Sequence, residues 1–495
     1  MNHYRLSVVR KWLILLTTSV LLMNLQPVQH NTQRAWAATM DTACRFGITS
    51  PSESEGYDIA KLGVGSYLDW RATTAPGLPA GVEYIRVLFL RDDLYPQMLA
   101  NLPVWVLANP GSVWVVGNEP DTTYEGQDGL LAQTYADRYY TVARTIRNLD
   151  PSALLAFGSV VQPTPIRLRY LDRAWNRLVS DAGSQAEASN MIDIWSIHSF
   201  ILNEEPESWG TGVPPGFEND HNDAVIIDPE HFADTYSIDI FQQRVMAFRS
   251  WMVGKGERDK PLWITEYGSL FPPEDPPGGP NYVNVSDEET ADFMLATFNF
   301  MLEATDTQTG LPGDGNQLVQ RWFWYSLNEH RYTFGGSIYN PDYPDFGALI
   351  THVGEEFIDY QLLKLAEPDL SPTGLEIIPV SFNSERTLVN YRLEITIDNS
   401  IFDDASCAQV KIYDGDPLEG GTLIRDPIPS SAIKSYFGVG RLTTYWMNVE
   451  PLTSHTLYVL VEPIGVPDAN PGNNEAVFTV FTELPEVLYF PAVHR

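Results

Sequence analysis

Between Arg45 and Leu327 the chain alternates short, flat apolar runs with longer helix-like stretches. The runs are FGITS (46–50), SYLDW (66–70), EYIRVLFL (83–90), SVWVVGNE (112–119), LLAFGSV (154–160), DIWSIHSF (193–200), PLWITEYG (261–268) and RWFWYSL (321–327). Short, continuously apolar runs are what parallel strands buried on both faces require. The helical stretches include 134–149, 165–182, 234–253 and 286–304. Ser286 with Glu289 has the spacing of a capping box and marks a helix start. Eight such units match the size of a (β/α)8 TIM barrel, typically about 250 residues. A doubly wound sheet is the alternative, but no GxGxxG follows the first strand.

Near Pro368 the pattern changes to alternating runs: LEIIPVSF (375–382), VNYRLEITIDNS (389–400), AQVKIYDG (408–415), GTLIRDPI (421–428), LTTYWMNV (442–449), HTLYVLVEP (455–463) and EAVFTVFT (475–482). Seven short strands separated by Gly, Asn, Asp and Pro predict an all-β sandwich of Ig-like type. The expected division is therefore a leader over 1–37, the barrel domain over 38–366, the sandwich over 367–482 and a tail over 483–495.

The leader is expected from Arg5, Arg10 and Lys11, the apolar run Leu13–Leu25 and the small-x-small site Ala35-Trp36-Ala37. It reads as a secretory signal peptide, cleaved near Ala37 or Ala38, with an uncleaved anchor as the alternative. The expected location is secreted or cell-surface, with no membrane insertion after cleavage. Cleavage removes four basic residues and no acid, taking the formal charge from −33 to −37. So acidic a chain argues against nucleic acid, whose phosphates need a basic face. Export permits a Cys44–Cys407 disulfide, and two buried thiols are the other reading. The 13 Trp, 24 Tyr and 22 Phe fill cores, or in part line a groove for a neutral stacked ligand such as sugar.

Two carboxylates stand out by position: Glu119 ends the fourth run and Glu266 the seventh. In a closed barrel both reach the C-terminal rim, where such folds place their active sites. Paired carboxyls about 5–5.5 Å apart are what retaining glycoside hydrolysis needs. Asn118-Glu119-Pro120 on the fourth strand and Glu266 in Thr265-Glu266-Tyr267-Gly268 on the seventh resemble the clan A glycoside hydrolases, (β/α)8 retaining enzymes. The resemblance implies Glu119 as acid/base, Glu266 as nucleophile and Asn118 as the partner of the sugar 2-hydroxyl. GVGSYLDW (63–70) together with Asn118-Glu119-Pro120-Asp121 most resembles secreted glucanase-like cores, including the family 128 endo-β-1,3-glucanases. Pro368-Asp369-Leu370 and DANPGNNEA (468–476) resemble the CARDB-type adhesion module, which implies contact with a cell surface or glycan.

Supporting candidates carry alternatives. His198 would orient Glu266 or bind sugar, or else be a packed core histidine. Trp324 would floor the sugar site, with Trp322 on the same face and one of the two belonging to the core. Tyr267 would hydrogen-bond the nucleophile or simply pack. Asp69 and Trp70 end the second strand at the rim. Trp209, Phe217 and Tyr282 lie in the two long loops, 201–230 and 271–285, as groove candidates. Arg91 is expected to pair locally with Asp92 and Asp93, and Glu204, Glu205 and Glu207 to be a solvated charge run. No GxSxG, HExxH, P-loop, EF-hand or zinc spacing is found, so no cofactor or metal is expected. The function expected is hydrolysis of a β-linked carbohydrate. The alternative is a noncatalytic carbohydrate-binding or surface-adhesion protein on the same scaffold.

Overall fold

The computed structural model describes residues 45–51, 57–72, 77–78, 82–124, 126–205, 208–272, 284–329, 335–340, 349–364, 369–382, 387–399, 408–424, 428–430, 438–463 and 468–485. The leader, Cys44, Cys407, Tyr282, Glu207 and most of the tail lie outside the described residues.

Eight parallel strands close into a barrel in sequence order: β1 (Phe46–Thr49), β2 (Ser66–Asp69), β3 (Glu83–Leu88), β4 (Val113–Val116), β5 (Leu154–Val160), β6 (Ile194–His198), β7 (Leu262–Tyr267) and β8 (Arg321–Trp324). All eight expected runs are strands. Most, however, stop short of the expected end, and the residues left over form the rim. The crossover helices are α1 (Tyr95–Ala108), α2 (Ala132–Leu149), α3 (Pro165–Ala182), the short α4 (Gln185–Asn190), α5 (Ile238–Gly254), α6 (Asp287–Glu303) and α7 (His352–Lys364). Among the described residues, β1 is followed only by a 3-10 turn, Ala60–Leu62, and β2 by no helix. Among the described residues, the first two of the eight expected βα units thus show no full crossover helix. Ser286 and Glu289 form the expected reciprocal capping box at the start of α6, worth about 1 kcal/mol for the cap residue.

Two apolar layers hold the barrel. Inside it pack Leu68, Ile85, Val87, Val113, Val115, Ala156, Ile194, Trp263 and Phe323. Gly47 is required there, because a Cβ would lie 2.3 Å from the Phe323 ring. The alternate strand residues face the helices, with Trp114, Phe157, Trp195, Trp322 and Trp324 meeting Tyr135, Tyr139, Phe248 and Phe298 in one large core. Strand alternation divides the two layers, because successive side chains point to opposite faces.

The C-terminal region forms two antiparallel sheets. One has the order β14–β10–β9, from β9 (Leu370–Phe382), β10 (Val389–Asn399) and β14 (Gly438–Val449). The other has the order β12–β11–β15–β16, from β11 (Ala408–Asp414), β12 (Thr422–Leu423), β15 (Ser454–Pro463) and β16 (Glu475–Phe481), with β13 (Ile428–Ser430) also paired to β11. The run expected as one strand over 421–428 is two short ones. Their shared core includes Tyr391, Ile395, Val410, Trp446 and Val459. Two segments distant in sequence meet at its start: Leu370 N–H donates to Asp468 (3.0 Å), and Asn473 donates to Asp369 (2.9 Å).

Candidate active site

Glu119 follows β4 by three residues and occupies the left-handed region, φ 42°. Its N–H donates to the carbonyl of Ser159 (3.1 Å), which is itself left-handed at φ 47°. Non-glycine residues held there cost about 1–3 kcal/mol each and persist only when their surroundings over-determine them. The turn after β4 is so held. Asn118 N–H donates to Asp128 Oδ2 (2.8 Å), and Asp128 N–H donates back to the Asn118 carbonyl (3.0 Å). Asp128 also accepts from the N–H groups of Leu90 and Arg91. Burial pushes the Asp128 carboxyl up to about 7, against the opposing pull of these three donors.

Glu266 reaches the same place through an irregularity. Ile197 pairs with Ile264, but the next residue, His198, pairs with Glu266. Likewise Ile264 pairs with Trp322, while Tyr267 pairs with Trp324. One extra residue sits in β7 at Thr265–Glu266, a bulge of the kind that re-aims side chains beside functional sites. Trp263 faces the barrel interior and Ile264 faces the helices. Strict alternation would therefore point Glu266 outward with Ile264; the bulge brings it in and leaves Tyr267 outward.

His198 joins the two acids. Its Nδ1 hydrogen-bonds Glu119 Oε1 at 2.9 Å, and its Nε2 lies 3.1 Å from Glu266 Oε1 as an ion-pair contact. One oxygen of each carboxylate and a ring nitrogen fall within 4.8 Å of one another, and all three side chains are buried. Burial alone would lower the imidazole pKa. The carboxylates of Glu266 and Glu119, with Asp121 behind them, outweigh it and hold the pKa above the ordinary histidine value. The two ring nitrogens face different carboxylates, an arrangement suited to a shared proton.

From this trio the contacts run in a closed circuit around the rim. Trp70, half-buried, donates through Nε1 to Asn118 Oδ1 (2.8 Å). Its ring lies 6.2 Å from that of Tyr325, which is 6.0 Å from Phe200, itself 6.3 Å from His198. Asn118 Nδ2 donates to Gln127.

No protein-family model matches the chain, and no curated protein matches its sequence. Several solved structures are similar. A GH128 (subgroup VII) oligosaccharide-binding protein from Cryptococcus neoformans is 14% identical, over 66% of this chain and 98% of that one, with a TM-score of 0.41. An alpha-L-arabinofuranosidase from Thermotoga maritima is 11% identical, over 90% and 96%, with a TM-score of 0.40. A glucosidase from Croceicoccus marinus is 12% identical, over 84% and 95%, also at 0.40. These likenesses are distant, and the chemistry of the site stands on its own residues.

Several expected residues lie elsewhere. Trp324 is fully buried on the helix-facing side, against Tyr267 and Phe298, with Nε1 donating to the Gly336 carbonyl (2.8 Å). It cannot floor a sugar site, and Trp322, against Phe46, is likewise core. Tyr267 packs on Phe241, and its hydroxyl accepts from Thr297 (3.4 Å) rather than touching Glu266. Asp69 is bound by Tyr67, Tyr84 and Arg71. Arg91 pairs with Asp93 (3.0 Å), as expected, whereas Asp92 pairs with Arg138 instead. Phe217 is buried beneath Arg169 and Arg173. Trp209 is half-buried against Phe232 and Phe271.

Glu204 is the clearest reversal. It is wholly buried, not solvated, and accepts from Gln162, Thr164, Arg167 and the Val225 N–H. Arg167 also donates to Asp121, two residues beyond Glu119. Nothing in the local sequence singles out Tyr325 and Phe200 as rim residues. Counting by two from Phe323 finds Tyr325 only once Phe323 is known to face the interior.

Proposed function

We propose that the protein is a retaining glycoside hydrolase acting on a β-linked carbohydrate, with Glu119 as acid/base and Glu266 as nucleophile. One observation carries the reading: two buried carboxylates, Glu119 just past β4 and Glu266 on β7, bring one oxygen each within 4.8 Å of the other at the C-terminal end of the barrel. Double displacement uses carboxyls about 5–5.5 Å apart, whereas inversion needs about 6.5–9.5 Å to admit a water. In the first step Glu266 attacks the anomeric carbon while Glu119 protonates the departing oxygen. In the second, Glu119 takes a proton from water, which displaces Glu266 with a second inversion, so the anomer is retained.

Asn118 is held at Oδ1 by Trp70 and at Nδ2 by Gln127, which leaves its second amide hydrogen for a sugar hydroxyl. Trp70 offers an apolar face beside it. In this reading the module beyond Leu370 serves surface or glycan contact, and the protein acts outside the cell.

The test is incubation with a panel of aryl β-glycosides and β-linked polysaccharides, with the first-formed anomer read by NMR. Retention is the expected result, and inversion would rule out Glu266 as nucleophile. Tight binding of an oligosaccharide without turnover would instead favour a binding protein on the same scaffold.

A further inference from the structure

His198 faces a carboxylate oxygen with each ring nitrogen, Glu119 at 2.9 Å and Glu266 at 3.1 Å. A neutral imidazole has one N–H donor and one lone-pair acceptor. Facing two carboxylates, the ring is satisfied in only two ways. Either it is the cation, or it is neutral and one carboxyl holds the other proton. In both cases the three groups share two protons and carry one net negative charge. The groups that face the ring are Glu119 three residues past β4, Glu266 on β7 and, farther off, Asp121, which pairs with Arg167. Phe200 covers the ring edge-on. The balance of charge therefore favours a proton on the ring whenever both glutamates are ionised.

Resting on the hydrolase reading above, we infer that His198 is the proton store of the site, holding as imidazolium the proton that Glu119 delivers and releasing it when Glu266 loses its charge. In glycosylation a Glu266 oxygen bonds to the anomeric carbon as the bond to the leaving oxygen breaks. The Nδ1 proton of His198 passes to Glu119 Oε1, and Glu119 hands it on to the leaving oxygen, which leaves a neutral ring and an ionised Glu119. Glu266 is by then an uncharged ester, so the charge that held the imidazolium disappears as its proton is needed. In hydrolysis, water adds hydroxyl to the sugar and gives its proton to Glu119, which returns one to Nδ1. The carboxylate of Glu266 is regenerated and again holds the imidazolium. Over the cycle the cluster neither gains nor loses a proton.

The arrangement is directional. Nδ1 makes the aligned hydrogen bond to the acid/base, whereas Nε2 keeps an ion-pair contact with the nucleophile. The proton path thus leads to Glu119, and Glu266 acts on it through its charge. A histidine that merely packs needs only one such partner.

Two measurements test this. The first is titration of the His198 ring nitrogens by 15N NMR in the full-length protein, assigned by the signal lost in His198→Gln. The ring should titrate above the ordinary histidine value, and Glu119→Gln and Glu266→Gln should each lower its midpoint by about one pH unit or more. An ordinary or depressed midpoint, or one indifferent to both substitutions, overturns the proposal. The second is a leaving-group series. His198→Gln should lose about 10²-fold more in kcat/KM on glycosides with poor leaving groups than on a dinitrophenyl glycoside, which needs no proton. An equal loss on both would mean a structural role and overturn it. If wild type hydrolyses no glycoside at all, the hydrolase reading fails by itself. The titration then still decides whether the ring shares its proton with the two acids.

Discussion

Arg167 and Glu204 form an ion pair, Nε to Oε1 at 2.8 Å, with both side chains fully buried. The same guanidinium holds Asp121 and the carbonyls of Asp121 and Gly212. A single arginine on α3 thereby ties the turn that carries Glu119 to the loop that follows β6. Its charge stays in place because the two carboxylates outweigh the cost of its burial. Removing one member of a buried pair leaves the others unpaired, at about 3–5 kcal/mol. Arg167→Met should lower the unfolding free energy by that amount in a urea titration. Glu204→Gln, which keeps several hydrogen bonds, should cost less.

Glu266→Ala and Glu119→Ala should each abolish most hydrolysis with circular dichroism unchanged, the acid/base accounting for about 10²–10⁴-fold. Azide separates their roles. It should rescue Glu266→Ala with an inverted glycosyl azide, because the anion takes the nucleophile's place on the opposite face. With an activated leaving group it should rescue Glu119→Ala with retention. Near-wild-type turnover in both variants would show that neither acid has its proposed role.

Trp70 and Trp324 should respond in opposite ways. Trp70 is half-buried at the rim and bonded to Asn118, so Trp70→Phe should raise KM while the melting temperature moves little. Trp324 is core, and Trp324→Ala should cost about 3–5 kcal/mol. A Trp324 variant of normal stability but weakened substrate binding would contradict the side the residue faces.

Gly158 has φ 120°, and a Cβ there would lie 2.3 Å from the carbonyl oxygen of Ser196, a backbone atom. Gly158→Ala should destabilise the protein by about 2 kcal/mol or more. It should also reduce activity in the folded fraction, because the next residue, Ser159, anchors the Glu119 N–H. Wild-type activity per folded molecule would argue that this anchor is dispensable.

Stability should fall as pH rises through neutrality. His198 and Asp128 both have folded pKa values above their unfolded ones, so each stabilises the fold most when protonated. For Asp128 the contribution is complete below the ordinary aspartate value of 3.8 and lost as pH rises through about 7. For His198 it is complete below the ordinary histidine value of 6.5 and lost above it, as the folded pKa is passed. Melting curves between pH 4 and 9 should show the decline, and His198→Gln should flatten its alkaline part. An unchanged slope in that variant would mean the ring does not titrate in this range.

The eight barrel strands, the change to alternating strands near residue 370 and the capping box at Ser286 were all legible in the sequence. So were Glu119 and Glu266 as a pair at strand ends. These features depend on local pattern: runs of apolar residues, period-two alternation and a fixed capping spacing each leave a mark in the residues that carry them. Which face a rim residue presents is not local in this way. Phe323, Trp324 and Tyr325 are three consecutive aromatics, and only the barrel's closure makes the first interior, the second core and the third part of the site. One extra residue at Thr265–Glu266 reverses the side that alternation assigns to Glu266. Glu204 reads as one more acid in a run until Arg167, 37 positions away, is found against it. Likewise, His198 is a lone histidine in the sequence. It becomes the link between two carboxylates only when closure of the sheet sets β6 beside β7 and the turn after β4 folds over both, because long-range pairing of charged groups is settled by the fold and not by neighbouring residues.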